Sequence, residues 1–303
     1  MIDSKIRTLI TLANIGSYTK TAKVLSLTQP AVSHHIRQLE QEYGVKIFRR
    51  AKNKLIPTPE GEILIKYARR IVALSDSARQ ALEDCQHSIH RFNVGITPTV
   101  GQNLVSQVFV AYCREHPGVH INILTDTIKK IYKKLQNYEL DWAIVDVSAP
   151  NPDYVTLLLD MDYLCLVVSP QHPFADRASV PLAELKAQRF ILRPPSAGTR
   201  SLFENHLMSH NETIRDFNIV IEIDNITTIK ELVASNLGVT IMAHSAVAEE
   251  ESSGRLKVVP VENFNMPRQI NLVYRPEFNH AEIFEEIRGI YNRGRSRKSA
   301  EET

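Results

Sequence analysis

The sequence predicts an α+β multidomain chain: an N-terminal winged helix-turn-helix, a long linker helix, and a C-terminal two-lobed α/β domain. Three observations carry that prediction. Two short helical patterns meet at Ser26-Leu27-Thr28, an amphipathic run of about thirty residues follows Thr58, and from Arg91 onward short apolar strands alternate with helices.

Residues Ser17 to Tyr43 read as two short helices across that joint, a helix-turn-helix. In the second, Val32, Ile36 and Leu39 make one apolar stripe, and the opposite face carries Pro30, Ser33, His34 and Arg37. Thr28 or Gln29 is placed to cap the first N–H groups, and Pro30 fits the first turn. A polar-faced helix after a tight turn suits the major groove; the same pattern also fits an ordinary surface helix of an all-helical domain. Ile6, Leu9, Ile10 and Ala13 make the preceding helix, ended by Gly16, with Ser17 capping the next. After it, Gly44 to Arg50 and Leu55-Ile56-Pro57 alternate like a hairpin around Ala51-Lys52-Asn53-Lys54. This wing puts Arg50, Lys52 and Lys54 where phosphates or the minor groove would meet them, although hairpin tips are also basic simply for solubility.

Charge separates the readings. The net charge of +2 hides ten Lys/Arg against four Asp/Glu in residues 1–60, so the remainder holds four more acids than bases. A basic surplus coincident with the helix-turn-helix favours double-stranded DNA as a partner.

Thr58-Pro59-Glu60-Gly61 opens the long helix, in which Leu64, Tyr67, Ile71, Leu74, Ala78 and Ala81 keep a three-four spacing toward Cys85. A rod of roughly 40 Å with one apolar seam wants a second copy of itself. Leu64, Tyr67, Ile71, Leu74 and Ala78 are therefore expected to form a homodimer contact, antiparallel, presenting two recognition helices.

Beyond Arg91, strands are expected at 92–97, 119–124, 142–147, 163–169, 190–193, 218–223, 239–243 and 269–274. Helices are expected near 100–115, 127–138, 199–209, 226–236 and 280–292. Such alternation predicts largely parallel sheets in two lobes, with a ligand cleft at the carboxyl ends of strands.

Composition, 43% hydrophobic and 23% charged, is that of a folded globular chain. No apolar run approaches a membrane span and no signal pattern opens the chain, so a cytoplasmic protein without membrane partners is expected. Cys85, Cys113 and Cys165 are odd in number and lie too far apart for a disulfide framework or a CxxC site; Cys113 and Cys165 read as buried inert thiols, the alternative being a redox-sensing pair formed between distant positions in the fold. The His87/His90 and His206/His210 pairs lack a third ligand nearby, so no metal and no other cofactor is expected. An α/β enzyme is the rival reading, as is a plain ligand-binding protein with an accessory helix-turn-helix. The sequence contains no GxSxG, Walker, GxGxxG or HExxH motif, and no catalytic residue is expected.

Gly16-Ser17-Tyr18, Ala22, Leu25, Thr28-Gln29-Pro30-Ala31-Val32-Ser33, Ile36, Leu39-Glu40, Gly44, Phe48-Arg49-Arg50 and Thr58-Pro59-Glu60-Gly61 together resemble the motif of LysR-type transcriptional regulators. The resemblance covers nearly the whole chain. It implies a DNA-binding domain at 1–60, a linker and dimerisation helix at 61–90, and an effector-binding domain at 91–303 like type 2 periplasmic binding proteins. Lobe I would take about 91–160 plus 268–295, and lobe II about 161–267. It further implies promoter binding modulated by a small-molecule effector, assembly as homodimers and usually homotetramers, and RNA polymerase as a candidate partner.

Residue by residue, Gln29, Pro30, Ser33 and His34 match base-edge positions, with His34 departing from the commoner Gln, Arg or Ala, and Thr28 joins them in the expected DNA-binding set. Arg37, Arg50, Lys52 and Lys54 match backbone contacts. Thr97-Pro98-Thr99-Val100-Gly101 resembles the family's hydroxyl-bearing loop after the first strand, and Pro194 to Arg200 its Gly-Ser/Thr-Arg loop. Thr97, Thr99, Val100, Ser196, Gly198 and Thr199 thereby become candidate effector contacts, at helix starts that favour a small anion. The alternative is that Thr99 and Thr199 are only N-caps. Thr127 lies where Asp126-Thr127-Ile128 departs from the usual Gly-Asn-Ser/Thr loop, and Asn225 and Thr228 keep polar groups at another helix start. Ala234 to Val239 resembles the Ala-Ala-Gly-Leu-Gly-Ile turn, with Asn236 expected to take the positive φ of the first Gly.

Overall fold

A computed structural model describes residues 3–51, 54–87, 90–102, 108–146, 152–278 and 281–301. They form two compact units, Met1–Arg91 with Lys133–Leu140, and Phe92–Tyr132 with Asp141–Thr303.

The first unit begins with α1 (Ser4–Ile15), α2 (Tyr18–Val24) and α3 (Gln29–Tyr43). Each start is capped as the side chains dictate: Asp3 accepts from Lys5 N, Ser17 from Lys20 N, and Thr28 from Ala31 N. Gly16 and Gly44 end α1 and α3 at φ 70° and 65°, where a side chain would be strained. Leu9, Leu12, Ile36 and Leu39 close the core between α1 and α3, joined by Ile47 and by Ile65 and Ala68 of the long helix.

The wing is the antiparallel pair β1 (Phe48–Ala51) and β2 (Lys54–Pro57), leading into α4 (Pro59–His87). Thr58 fastens this junction. Its N–H donates to Ile47 O at 2.9 Å, its Oγ1 accepts from Gly61 N at 2.9 Å, and Ile47 N donates to Glu40 Oε1 at 3.0 Å. Gly61 is required there because a Cβ would stand 2.0 Å from the Ile47 carbonyl oxygen. The motif Thr58-Pro59-Glu60-Gly61 thus welds the rod to the wing.

After α4 the chain runs β3 (His90–Ile96), α5 (Pro98–Gly101), α6 (Val110–Glu115), β4 (Val119–Thr125), α7 (Ile128–Gln136) and β5 (Trp142–Val145), all in the second unit except the first two residues of β3 and the end of α7 from Lys133. Then come β6 (Val155–Val168), α8 (Leu182–Leu185), β7 (Arg189–Leu192), α9 (Gly198–Ser209), β8 (Asn218–Glu222), α10 (Ile226–Ala234) and β9 (Thr240–Ala243). The last elements are α11 (Ala248–Ser252), β10 (Lys257–Val259), β11 (Met266–Tyr274) and α12 (Glu282–Glu301). Of the expected helix at 100–115, positions 103–107 lie outside the described residues, as does Val147 of the expected fifth strand.

The sheets correct the expectation of largely parallel pairing. β3 and β5 are parallel, as are β7 and β8, but β11 runs antiparallel to β5 and β6, and β6 runs antiparallel to β9 and β10. The cause is that β6 and β11 serve both lobes. Near Val155 to Leu158, β6 pairs with the β11 residues that also pair with β5, and near Leu164 to Val168 it pairs with β9 and β10. A strand expected only at 163–169 therefore begins at Val155, and β10 had no counterpart in the sequence reading.

One core gathers Phe92, Val94, Ile96, Trp142, Ile144, Leu272 and Phe284, the other Leu166, Val168, Phe190, Leu192, Phe203 and Ile241. Behind β6, Cys165 and Val167 pack with Ile229, Val233 and Met242, so both faces of its apolar run are covered. Where the two long strands pair, Arg268 lies directly opposite Asp162 and donates to it at 3.0 Å and to Asp146 at 2.9 Å, all three nearly inaccessible. Asn236 takes φ 57°, as expected of its turn.

Gly61→Ala is expected to destabilise the first unit by about 1–3 kcal/mol, the usual cost of overpacking a filled site. Hydrogen exchange on the full chain checks this: amides of α1 to α4 should exchange faster, and wild-type protection would show that Ile47 yields freely.

Candidate functional site

On α3, Val32, Ile36 and Leu39 are buried while Thr28, Gln29, Pro30, His34 and Arg37 are exposed and Ser33 is half-buried. His35, on the inner side, holds α3 to α1 through Thr8 Oγ1 at 2.9 Å. Two of the ridge hydroxyls already have local duties: Thr28 caps the helix, and Ser33 accepts from Arg37 Nη2 at 3.4 Å. Arg50 and Lys54 are exposed on the wing strands, whereas Lys52 lies outside the described residues. The ridge from Thr28 to Gln38 contains no acidic residue, so cation and hydrogen-bonding groups project together.

Along α4, Tyr67, Ile71, Leu74 and Ala78 are exposed in a three-four series that Ile63 and Leu82 extend at either end. Leu64 turns instead toward the core, half-buried beside Ile65 and Ala68. The helix therefore carries two apolar faces, one of them open.

In the second unit the two hydroxyl-bearing loops meet. Thr99 Oγ1 lies 3.4 Å from Thr199 Oγ1, both side chains buried, joining the two lobes. Neither is an N-cap: Thr97 and Ala197 hold those positions, and Thr97 makes no capping bond. Thr97 Oγ1 is buried without a hydrogen-bond partner among the described residues, and the Val100 side chain belongs to the core, leaving only its backbone for a ligand. Around the Thr99–Thr199 contact a recess of about 10 Å³, room for about one water, is lined also by Arg193 and Thr240.

A wider cavity of about 390 Å³ is lined by Pro98, Gly101, Gln102 and Thr125 of one lobe and Asp224, Asn225 and Thr227 of the other. Of the expected contacts only Asn225 reaches it directly, and its Oδ1 already accepts from Thr228 N at 2.9 Å. Thr127 and Thr228 are half-buried, Gly198 likewise, and Ser196 is exposed; none of the four lines either space. Gln102, Thr125, Arg193 and Asp224 were missed. Arg193 directly precedes the expected Pro194 loop and Asp224 precedes Asn225, so adjacency to those loops was the available signal.

Burial pushes the Cys165 thiol up well beyond the usual range, with Asp162 and Glu251 adding to the shift, and burial also raises Cys113. His206 and His210 pack against Phe264, and His210 Nε2 lies 3.1 Å from Asn263 O, a packing role rather than ligation. Among the described residues no group of three or more His, Cys, Asp or Glu side chains is placed to hold a metal, and no helix is long and apolar enough to cross a membrane.

A polar helix-turn-helix ridge and a two-lobed cleft on one chain define a DNA-binding transcriptional regulator with an effector-binding domain. Residues 4–62 match the model of the bacterial regulatory helix-turn-helix protein, lysR family, and residues 86–289 match that of the LysR substrate binding domain. The chain belongs to the LysR family of regulators. A probable RuBisCO transcriptional regulator of Emiliania huxleyi is 30% identical over 282 residues, 91% of this chain and 90% of that protein. Full-length CbnR complexed with its target DNA shares the fold at TM-score 0.68 and 16% identity, covering 97% of this chain and all of that one. The regulatory domain of Synechocystis PCC6803 CcmR in complex with 2-PG also shares the fold, at TM-score 0.60 and 17% identity, over 66% of this chain and 97% of that one.

A protonated, enclosed thiol is a poor nucleophile. Cys165 is expected to resist iodoacetamide at pH 7 in the native protein and to react once the chain is unfolded; mass spectrometry would show this, and ready alkylation of the folded protein would contradict it.

Proposed function

We propose that the chain is a cytoplasmic regulator, not an enzyme, that reads duplex DNA with the α3 ridge and answers to a small anionic effector in the cleft of its second unit. The observation that carries the first half is the outward, acid-free ridge of Gln29, Pro30, Ser33, His34 and Arg37 above a buried Val32, Ile36 and Leu39. The second half is supported by the buried meeting of Thr99 with Thr199 beside an open cavity, and by the small molecule held in the CcmR domain. Base edges would be met by Thr28, Gln29, Pro30, Ser33 and His34, and phosphates by Arg37, Arg50, Lys52 and Lys54. RNA polymerase is the further partner that a promoter-bound regulator would meet.

The open stripe of α4 supports a homodimer through Tyr67, Ile71, Leu74 and Ala78, with Ile63 and Leu82 added to the seam and Leu64 removed from it. Pairing copies would bring two ridges to a two-fold site, and pairs of such dimers give the homotetramer.

Ser33→Ala and His34→Ala are expected to reduce discrimination between a specific and a random duplex, by about 1–3 kcal/mol for a lost base contact. Lys54→Ala should instead weaken both and lower the salt slope by about one. Anisotropy titrations over a salt series separate these, and equal losses on both duplexes for all three variants would refute the division. Ile71→Asp on the seam is expected to give monomers with poor operator affinity; light scattering that returned the wild-type mass would sink the dimer contact.

A further inference from the structure

Three arginines are buried among the described residues of the second unit, and they are not neutralised alike. Arg268 has two buried carboxylates, Asp146 and Asp162. Arg200 has two carboxylates that are themselves partly exposed, Glu204 at 2.5 Å and Glu222 at 3.3 Å. Arg193, with only 7% of its side chain exposed, has one carboxylate partner, Asp224, whose own side chain is 70% exposed. Nε at 3.0 Å and Nη2 close on the same oxygen, Oδ1, so the pair is not the two-oxygen fork that a guanidinium favours.

A guanidinium stays charged at any ordinary pH and needs a counter-charge when buried. Asp224 meets that need from the solvent side, where it can be released into water at little cost. Its position is also the point where a cleft occupant would arrive. Arg193 follows β7 and Asp224 follows β8, two parallel neighbours whose carboxyl ends open here. Arg193 lines the recess with Thr99, Thr199 and Thr240, and Asp224 lines the wider cavity.

We infer that Arg193 is the anion-recognising residue of the cleft and that Asp224 is an internal stand-in for the effector's oxyanion, displaced when that group binds. This rests on the reading of the cleft as the effector site. The ligand class is a small molecule bearing a phosphate, sulfate or carboxylate, which takes the Arg193 donors with two oxygens while the threonine hydroxyls hydrogen-bond to it. Asp224 then turns to solvent, and the loop between β8 and α10 is freed from Arg193. The acid therefore sets a threshold: only an oxyanion that competes with a tethered carboxylate is admitted.

The test is calorimetry on the full chain with inorganic phosphate, sulfate and 2-PG. Asp224→Asn, an exposed and nearly isosteric change, removes the competitor and is expected to tighten phosphate binding at least about tenfold, equivalent to about 1.4 kcal/mol. Adding Arg193→Gln to that variant should abolish the gain. An Asp224→Asn protein that binds none of the three anions more tightly than wild type overturns the proposal, as does a double variant that keeps the gain. Thr99→Val in the Asp224→Asn background separates the two readings. If it weakens phosphate binding while Arg193→Gln does not, the cleft stands and Arg193 is the wrong residue. If only Arg193→Gln weakens binding, Arg193 stands and the effector site does not include the Thr99–Thr199 contact.

Discussion

The second unit depends on one buried ionic cluster. Arg268 of β11 faces Asp162 of β6 across the ladder and reaches Asp146 just beyond β5, while Ser245 adds its Oγ to Asp162 at 2.8 Å. Breaking such a cluster by removing one member would strand the others in a low-dielectric interior, a far larger loss than any surface pair. Its geometric effect is to set the register of β6 and β11, the two strands that serve both lobes. With that register held, the two cores form on either side, and the Thr99 and Thr199 loops arrive at the same place.

The first unit is governed by a division of faces. Ile65 and Ala68 of α4 complete the core under α1 and α3, while Tyr67, Ile71 and Leu74 point away from it. Thr58 and Gly61 hold this orientation by tying the start of the rod to Ile47, which Glu40 in turn ties to α3. A rotation of the rod would therefore disturb the recognition helix through the Thr58–Ile47 backbone bond and the Glu40 carboxylate that holds Ile47 N, so the ridge and the seam are coupled.

Much of this was legible in the residues. The stripe of Val32, Ile36 and Leu39 determined which side of α3 is buried, because a helix of period 3.6 leaves no choice once its apolar positions are given. Two hydroxyl loops were readable as candidate contacts, but not that Thr99 and Thr199 would touch each other, a hundred positions apart. Arg193 and Asp224 passed unnoticed because arginine and aspartate are ordinary surface residues until burial makes one of them costly.

Local physics accounts for what the sequence alone determined: helix caps, the positive φ of Asn236, the polar ridge, the apolar rod and the alternation of strand with helix all follow from neighbours within a few positions. Strand direction and the true length of β6 were decided only in three dimensions. Asp160 and Asp162 look like breakers in a linear reading, yet Tyr291 donates to the first and Arg268 neutralises the second, so β6 continues through both. Those partners lie more than a hundred residues away, and no local pattern records a charge that is cancelled from that distance.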